Sequence, residues 1–136
     1  MWIAHLMFGQ PLLQISGHVR SGPAQLLSEF VATFGLLAVI WGTSRSRPTA
    51  TPFAVGAYIA SAYWFTASTS FANPAVTLAR SFTNTFAGIR PVDAPGFIAA
   101  QFFGAFAATA LFRWLTPRIP ETADSVLLET HASQKA

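Results

Sequence analysis

Residues 48–79 form a run of 32 positions without one Asp, Glu, Lys, Arg or His. A helix needs about 20 residues to cross the hydrocarbon layer of a bilayer, so this run holds one crossing and a remainder. Residues 94–112 add 19 uncharged positions, and residues 24–42 have spanning length with Glu29 as their only charge. Charged residues make up 10% of the 136 and Phe alone fills 13 positions, against roughly 25% charged residues in soluble chains. The solvent of this chain is largely lipid, and three spanning segments are expected.

Within the uncharged run stands "FANPAVT", residues 71–77. An Asn-Pro pair commonly marks a surface turn, which is out of place at membrane depth. Helix starts elsewhere in the chain suggest another reading. Pro at the first helical position wastes no backbone donor, and a preceding Asn, Ser, Thr, Asp or Gly can cap. Ser21-Gly22-Pro23, Thr51-Pro52 and Asp93-Ala94-Pro95 open the three spans in this manner. Asn73-Pro74 fits the same grammar, with Asn73 as cap.

The helix it opens is short. Residues 83–95 hold Asn84, Gly88, Pro91 and Pro95 and read as loop, so the helix covers residues 74–82. Nine residues rise roughly 13 Å, less than half the apolar layer. The expected order is therefore a helix remnant at residues 2–8, a loop to Gly22, spans at 24–42, 52–66 and 95–115, and a re-entrant half-helix at 74–82. The apolar N-terminal stretch lacks the basic residues of a signal peptide and reads as the end of a membrane helix that begins before Met1.

Irregular backbone at membrane depth is tolerated only where protein buries it or water lines it. Ser68, Thr69 and Ser70, just before Asn73, can satisfy neighbouring groups while free carbonyls face a cavity. The half-helix start adds a positive dipole end of about half a charge and the Asn73 amide as donor. Either these orient a passing neutral molecule by its oxygen, or Asn73 merely caps a buried helix. Glu29 is an acid within a span, which marks function by default, against the alternative of a carboxylate at the water interface. Small residues spaced by four, Ala100, Gly104 and Ala108 in the last span and Gly56 and Ala60 in the second, predict close helix packing.

Other classes are excluded by what the sequence lacks. The net charge of +3 comes from scattered Arg residues with no basic stripe, so nucleic acid is not a partner. The absence of cysteine removes disulfides and thiolate metal sites. His5, His18 and His131 are far apart and read as interfacial or tail residues, and no hydrolase or phosphate-loop motif occurs. No enzyme activity, cofactor or metal is expected.

"FANPAVTLAR", preceded by one span and followed by a loop and a final span, resembles the second half of the aquaporin, or major intrinsic protein, family. The likeness runs over residues 2–115. It implies an all-α membrane protein, half of a right-handed helical bundle with three spanning helices and one re-entrant half-helix. Residues 1–117 would form this half and residues 118–136 a solvated tail. In the family two inverted halves meet at mid-membrane through Asn-Pro-Ala half-helices, which Asn73, Pro74 and Ala75 match. Glu29 matches the acid that braces the re-entrant loop.

Most family members carry Arg directly after this Ala, lining the narrow filter, and here that position is Val76. The resemblance then implies a wider, more apolar filter, open to glycerol-like polyols or neutral metalloid hydroxides such as arsenous acid. Ser70 would supply a carbonyl near the filter. The filter position on the fifth helix falls on Ser61 counting back from Asn73, or Tyr63 counting forward from Gly56. Arg80, four residues after Val76, is expected at a helix end or in loop contacts.

The expected partners are membrane lipid, a small neutral solute, and the missing N-terminal half or a second, inverted copy, in a tetramer by resemblance. A truncated, non-conducting half-channel or assembly partner is the alternative. Arg45, Arg47, Arg113 and Arg118 fall on one side, assigned to the cytoplasm with the C-terminus, of a multi-pass protein in the cell (inner) membrane. Arg20, Arg80 and Arg90 fall on the other.

Overall fold

The computed structural model describes residues 1–116. The proposed tail at 118–136, with Arg118 and His131, lies outside the described residues. Five α-helices follow in order: α1 (Trp2–Met7), α2 (Pro23–Ser46), α3 (Thr51–Phe65), α4 (Pro74–Arg80) and α5 (Ala94–Leu115), with a 3-10 turn at Pro48–Ala50 before α3. No strand occurs among the described residues.

Two helices are long and apolar enough to cross a membrane, α2 with 24 residues and α5 with 22. At 1.5 Å per residue they reach about 36 and 33 Å. The third expected span is shorter than a crossing requires: α3 has 15 residues, about 22 Å, and the 3-10 turn adds about 6 Å. It stops where Thr66 turns extended, as the chain enters the re-entrant loop. Likewise α4 ends at Arg80, not at residue 82, because Ser81 and Phe82 donate to Leu78 and Ala79 and tighten the last turn to three-residue bonds.

Gly22, Asn73 and Asp93 hold the N-cap positions of α2, α4 and α5 as expected, but only Asn73 makes a side-chain cap bond. The Asn73 side chain accepts from the Ala75 N–H at 2.8 Å. Thr51 lies inside α3 and leaves its hydroxyl unpaired, Gly22 begins α2 without a side-chain bond, and Asp93 does not cap α5. Asp93 instead accepts from Arg20 N at 2.9 Å and from the Arg90 guanidinium. Its carboxyl lies below the ordinary value, chiefly through the Arg90 hydrogen bond, with the Arg20 N–H adding to it against partial burial.

Packing follows the small residues in α5 and a different rule in α3. Ala100, Gly104 and Ala108 are buried, and Gly104 lies so close to the Phe30 carbonyl of α2 that a Cβ has no room. Gly56 and Ala60, however, are exposed. The contact of α3 with α2 is made by Tyr58, whose ring covers Gly35 and whose hydroxyl donates to Ala32 O at 3.0 Å. An aromatic ring over a glycine replaces the expected small-on-small approach.

The distribution of polarity is the reverse of a soluble domain. Phe53, Trp64, Phe106 and Trp114 are 74–85% exposed, while Glu29, Ser68, Thr77 and Gln101 are fully buried beside Phe71, Ile89 and Phe97. An apolar exterior around a polar centre suits a lipid solvent.

Candidate functional site

The loop between α3 and α4 holds three non-glycine residues in the left-handed region, Thr69, Ser70 and Ala72, at φ 61°, 48° and 52°. Each such residue costs about 1–3 kcal/mol and persists only where surroundings hold it. Glu29 of α2 does so here. Its Oε1 accepts from Phe71 N and its Oε2 from Ala72 N, both at 2.9 Å. Residues 71 and 72 immediately precede Asn73, so the bond fixes the approach to α4.

The same carboxylate ties in α5. Gln101 Nε2 donates to Glu29 Oε2 at 2.6 Å and to Thr77 Oγ1 at 2.8 Å, and the Thr77 hydroxyl donates to Asn73 O at 3.1 Å. A chain of buried bonds thus runs from α2 through α5 to the first turn of α4. Such a network holds position firmly because the low-dielectric surroundings offer no competing water. Gln101 and Thr77 are not among the residues expected from the sequence. Gln101 left a trace there as the one amide in the uncharged run at residues 94–112.

At the start of α4 the Asn73 side chain is exposed, with its Oδ1 engaged by Ala75 N. Its Nδ2 has no hydrogen-bond partner among the described residues. Pro74 occupies the first helical position and Ala75 is exposed beside it. Ser70 is buried, with its hydroxyl unpaired and its N–H donating to Ser68 Oγ at 3.3 Å.

Val76, half-buried, packs against Phe71, Ile89 and Phe97 and borders a cavity of about 610 Å³. Arg80, His5, Thr83, Thr85 and Phe86 also border it. Ser61 and Tyr63 do not. Ser61 is exposed, donates to Ala57 O at 2.8 Å and borders a separate cavity of about 470 Å³ between α2 and α3. Tyr63 is half-buried with its ring edge-on to Trp64. Val76 and Ser70 are thus gathered around the loop, Tyr63 lies within electrostatic range of Arg20 and Arg80 without bordering the cavity, and Ser61 faces the separate cavity.

Arg80 ends α4 as expected, while Arg20 in the loop before α2 is buried. Arg20 is 5% exposed, and its guanidinium donates to Gly88 O, Ser68 O and Phe86 O at 2.7–2.8 Å. It lies 5.0 Å from the Phe71 ring centre, and Arg80 lies 4.3 Å from the same ring. Burial, and then the Arg80 charge, lowers the Arg20 pKa. His5 is buried as well, contrary to its reading as an interfacial residue, because Nε2 meets Thr83 Oγ1 at 2.8 Å and ties α1 to the loop after α4.

Comparison with known proteins matches these features to one family. The sequence profile described as Major intrinsic protein matches residues 26–135. The chain is 64% identical over 113 residues to the aquaglyceroporin AqpS of Rhizobium meliloti (strain 1021), a match covering 83% of this chain and 48% of that protein. The chain spans about half the length of that curated relative. No solved structure matches it. Joined to two helices of membrane-spanning length around a buried polar centre, these matches describe an integral membrane protein, and the chain belongs to the major intrinsic protein family.

Proposed function

We propose that the chain forms half of a membrane channel for water and small uncharged solutes, of the chemistry of glycerol or a neutral metalloid hydroxide. The observation that carries this reading is Asn73: its oxygen caps α4 while its amide N–H groups keep no partner among the described residues. Free donors at the start of a re-entrant half-helix can take the oxygen of a passing solute. Glu29 braces the loop that presents them. Similarity to a protein named an aquaglyceroporin supports the same solute class.

The filter wall in this reading is Val76, with the Ser70 carbonyl as an acceptor beside it. An aliphatic side chain adds no charge and no donor, which leaves a wide, apolar passage. Closing a pore requires a companion half, either a further segment of chain or a second copy in inverted orientation, within a tetramer. The protein resides in the cell's inner membrane, with Arg45, Arg47 and Arg113 on the cytoplasmic side together with the C-terminus.

Stopped-flow swelling of vesicles containing the chain, with water and glycerol gradients applied separately, tests conduction. Glycerol entry above that of empty vesicles is expected. Entry equal to empty vesicles refutes conduction by this chain and leaves a non-conducting assembly partner. Within the same assay Val76→Arg is expected to lower glycerol permeability at least tenfold while sparing water, since a guanidinium narrows the passage. Equal loss of both, or of neither, contradicts a filter role for Val76.

A further inference from the structure

Helices α2 and α5 pack side by side and run in the same direction, so their C-terminal ends meet at one face of the membrane. Gly104 lies against the Phe30 carbonyl in the middle of the pair, and Trp41 stacks on Phe112 near its end, 6.4 Å between ring centres. Arg45 stands one turn beyond Trp41 on the same side of α2, and Arg113 directly follows Phe112. Arg47 leads into the 3-10 turn just past α2. All three arginines are exposed, and none of their side chains makes a hydrogen bond or ion pair with another described residue.

The acids of the described residues are committed elsewhere. There are two, Glu29 and Asp93. Glu29 is held by Phe71, Ala72 and Gln101, and Asp93 by Arg90 and Arg20. A cation in the last turn of a helix offsets its dipole, which gives Arg45 and Arg113 one use each. Arg47 lies outside both helices, and a guanidinium carries five N–H donors that a dipole does not saturate.

On the membrane side of these donors the surface suits hydrocarbon. Two and three turns before Arg113, on the same face of α5, stand Phe106 and Phe102, 74% and 64% exposed. Trp114, beside Arg113, is exposed as well, at a level where aromatic rings favour the membrane–water boundary. Guanidinium donors above an exposed aromatic stripe, at the end of a spanning helix, fit a phosphate that carries acyl chains. A soluble anion would occupy only the arginines. A zwitterionic lipid brings its own cation, which competes with them for the phosphate, so an anionic headgroup is favoured.

We propose that Arg45, Arg47 and Arg113 form a binding site for the phosphate of an anionic phospholipid whose acyl chains lie against Phe106 and Phe102. The site goes beyond the channel reading and stands whether or not the chain conducts.

Tryptophan quenching by lipids brominated in their acyl chains tests it, with the full chain in phosphatidylcholine vesicles. Trp2→Phe with Trp64→Phe leaves Trp41 and Trp114 as reporters at the arginine end. A second variant that keeps Trp64 alone, at the far end of α3, is the reference. Brominated phosphatidylglycerol is expected to quench Trp41 and Trp114 several-fold more than brominated phosphatidylcholine at the same mole fraction, and Trp64 equally with it. Replacing Arg45, Arg47 and Arg113 by Gln is expected to remove the preference, by up to about fivefold for each arginine. Arg90→Gln, before α5 at the other face, is expected to leave it unchanged. Equal quenching by the two lipids at the arginine end, the same preference at Trp64, or a preference that survives the triple substitution overturns the proposal. Acyl chains hold a lipid where a free anion has only the arginines, so inorganic phosphate at constant ionic strength is expected to leave the preference intact. Its loss on adding phosphate identifies a free-anion site and overturns the lipid assignment.

Discussion

Replacing Glu29 by Ala is expected to release the loop before α4 and to destabilise the protein by at least about 3 kcal/mol. The carboxylate is fully buried and accepts from Phe71 N, Ala72 N and Gln101 Nε2. Removing it leaves three buried donors without an acceptor, at about 1–3 kcal/mol each, before any cavity is counted. It also frees Ala72 from the bond that holds its left-handed backbone, and with it the residue that leads directly into Asn73. Glu29→Gln keeps one oxygen acceptor but turns an N–H group toward another donor, and its loss should be about half as large. Thermal unfolding in detergent reads the stability, and amide exchange at Phe71 and Ala72 reads the loop. An unchanged midpoint with both amides still protected would show that the loop holds itself.

The second large effect belongs to function and leaves the fold standing. Asn73→Asp preserves a side-chain oxygen for the Ala75 N–H, the bond that caps α4. It removes both amide donors and sets a carboxylate in their place, at a depth where a charge is expensive. Glycerol permeability is expected to fall at least tenfold, which corresponds to about 1.4 kcal/mol lost at the passage, with the helix content unchanged. Asn73→Ala removes cap and donor together and adds about 1 kcal/mol of lost helix stability. A channel that conducts glycerol equally with Asp at position 73 would remove the amide from the account.

How far the sequence discloses this arrangement depends on the range of the interactions involved. Helices α2 and α5 were readable from length and charge alone, because an uncharged run of spanning length has few other uses. The Asn73 cap was also readable, since cap and Pro are adjacent in the chain. Asp93 holds the N-cap position of α5 but makes no side-chain cap bond, because its carboxylate is drawn to Arg20, 73 residues away, and to Arg90, and Thr51 falls one position inside α3. Local rules carry no information about such a competitor. The partnership of Glu29 with Gln101 spans 72 residues and was visible only as two polar residues in apolar runs.

The environment of the arginines is hidden for a related reason. Arg80 does end α4, as its position in the chain suggests, but nothing local shows what its guanidinium or that of Arg20 meets. In the fold they share a single aromatic ring, and only contacts across 51 and 9 residues reveal it. The size of Tyr58 misled in the opposite direction, since small residues at Gly56 and Ala60 promised a contact that a large ring over Gly35 makes instead.

The central claim is that the start of α4 borders an aqueous path through the membrane, and the absence of cysteine from this chain makes it directly measurable. Ala75→Cys leaves the Asn73 cap in place, because the cap uses the backbone N–H of residue 75. Phe106→Cys on α5, at a position 74% exposed on the apolar exterior, is the reference. In sealed vesicles a neutral, water-soluble thiol reagent is expected to modify residue 75 rapidly, to be slowed by glycerol there, and to leave residue 106 untouched. Residue 75 as inert as residue 106 would contradict the account.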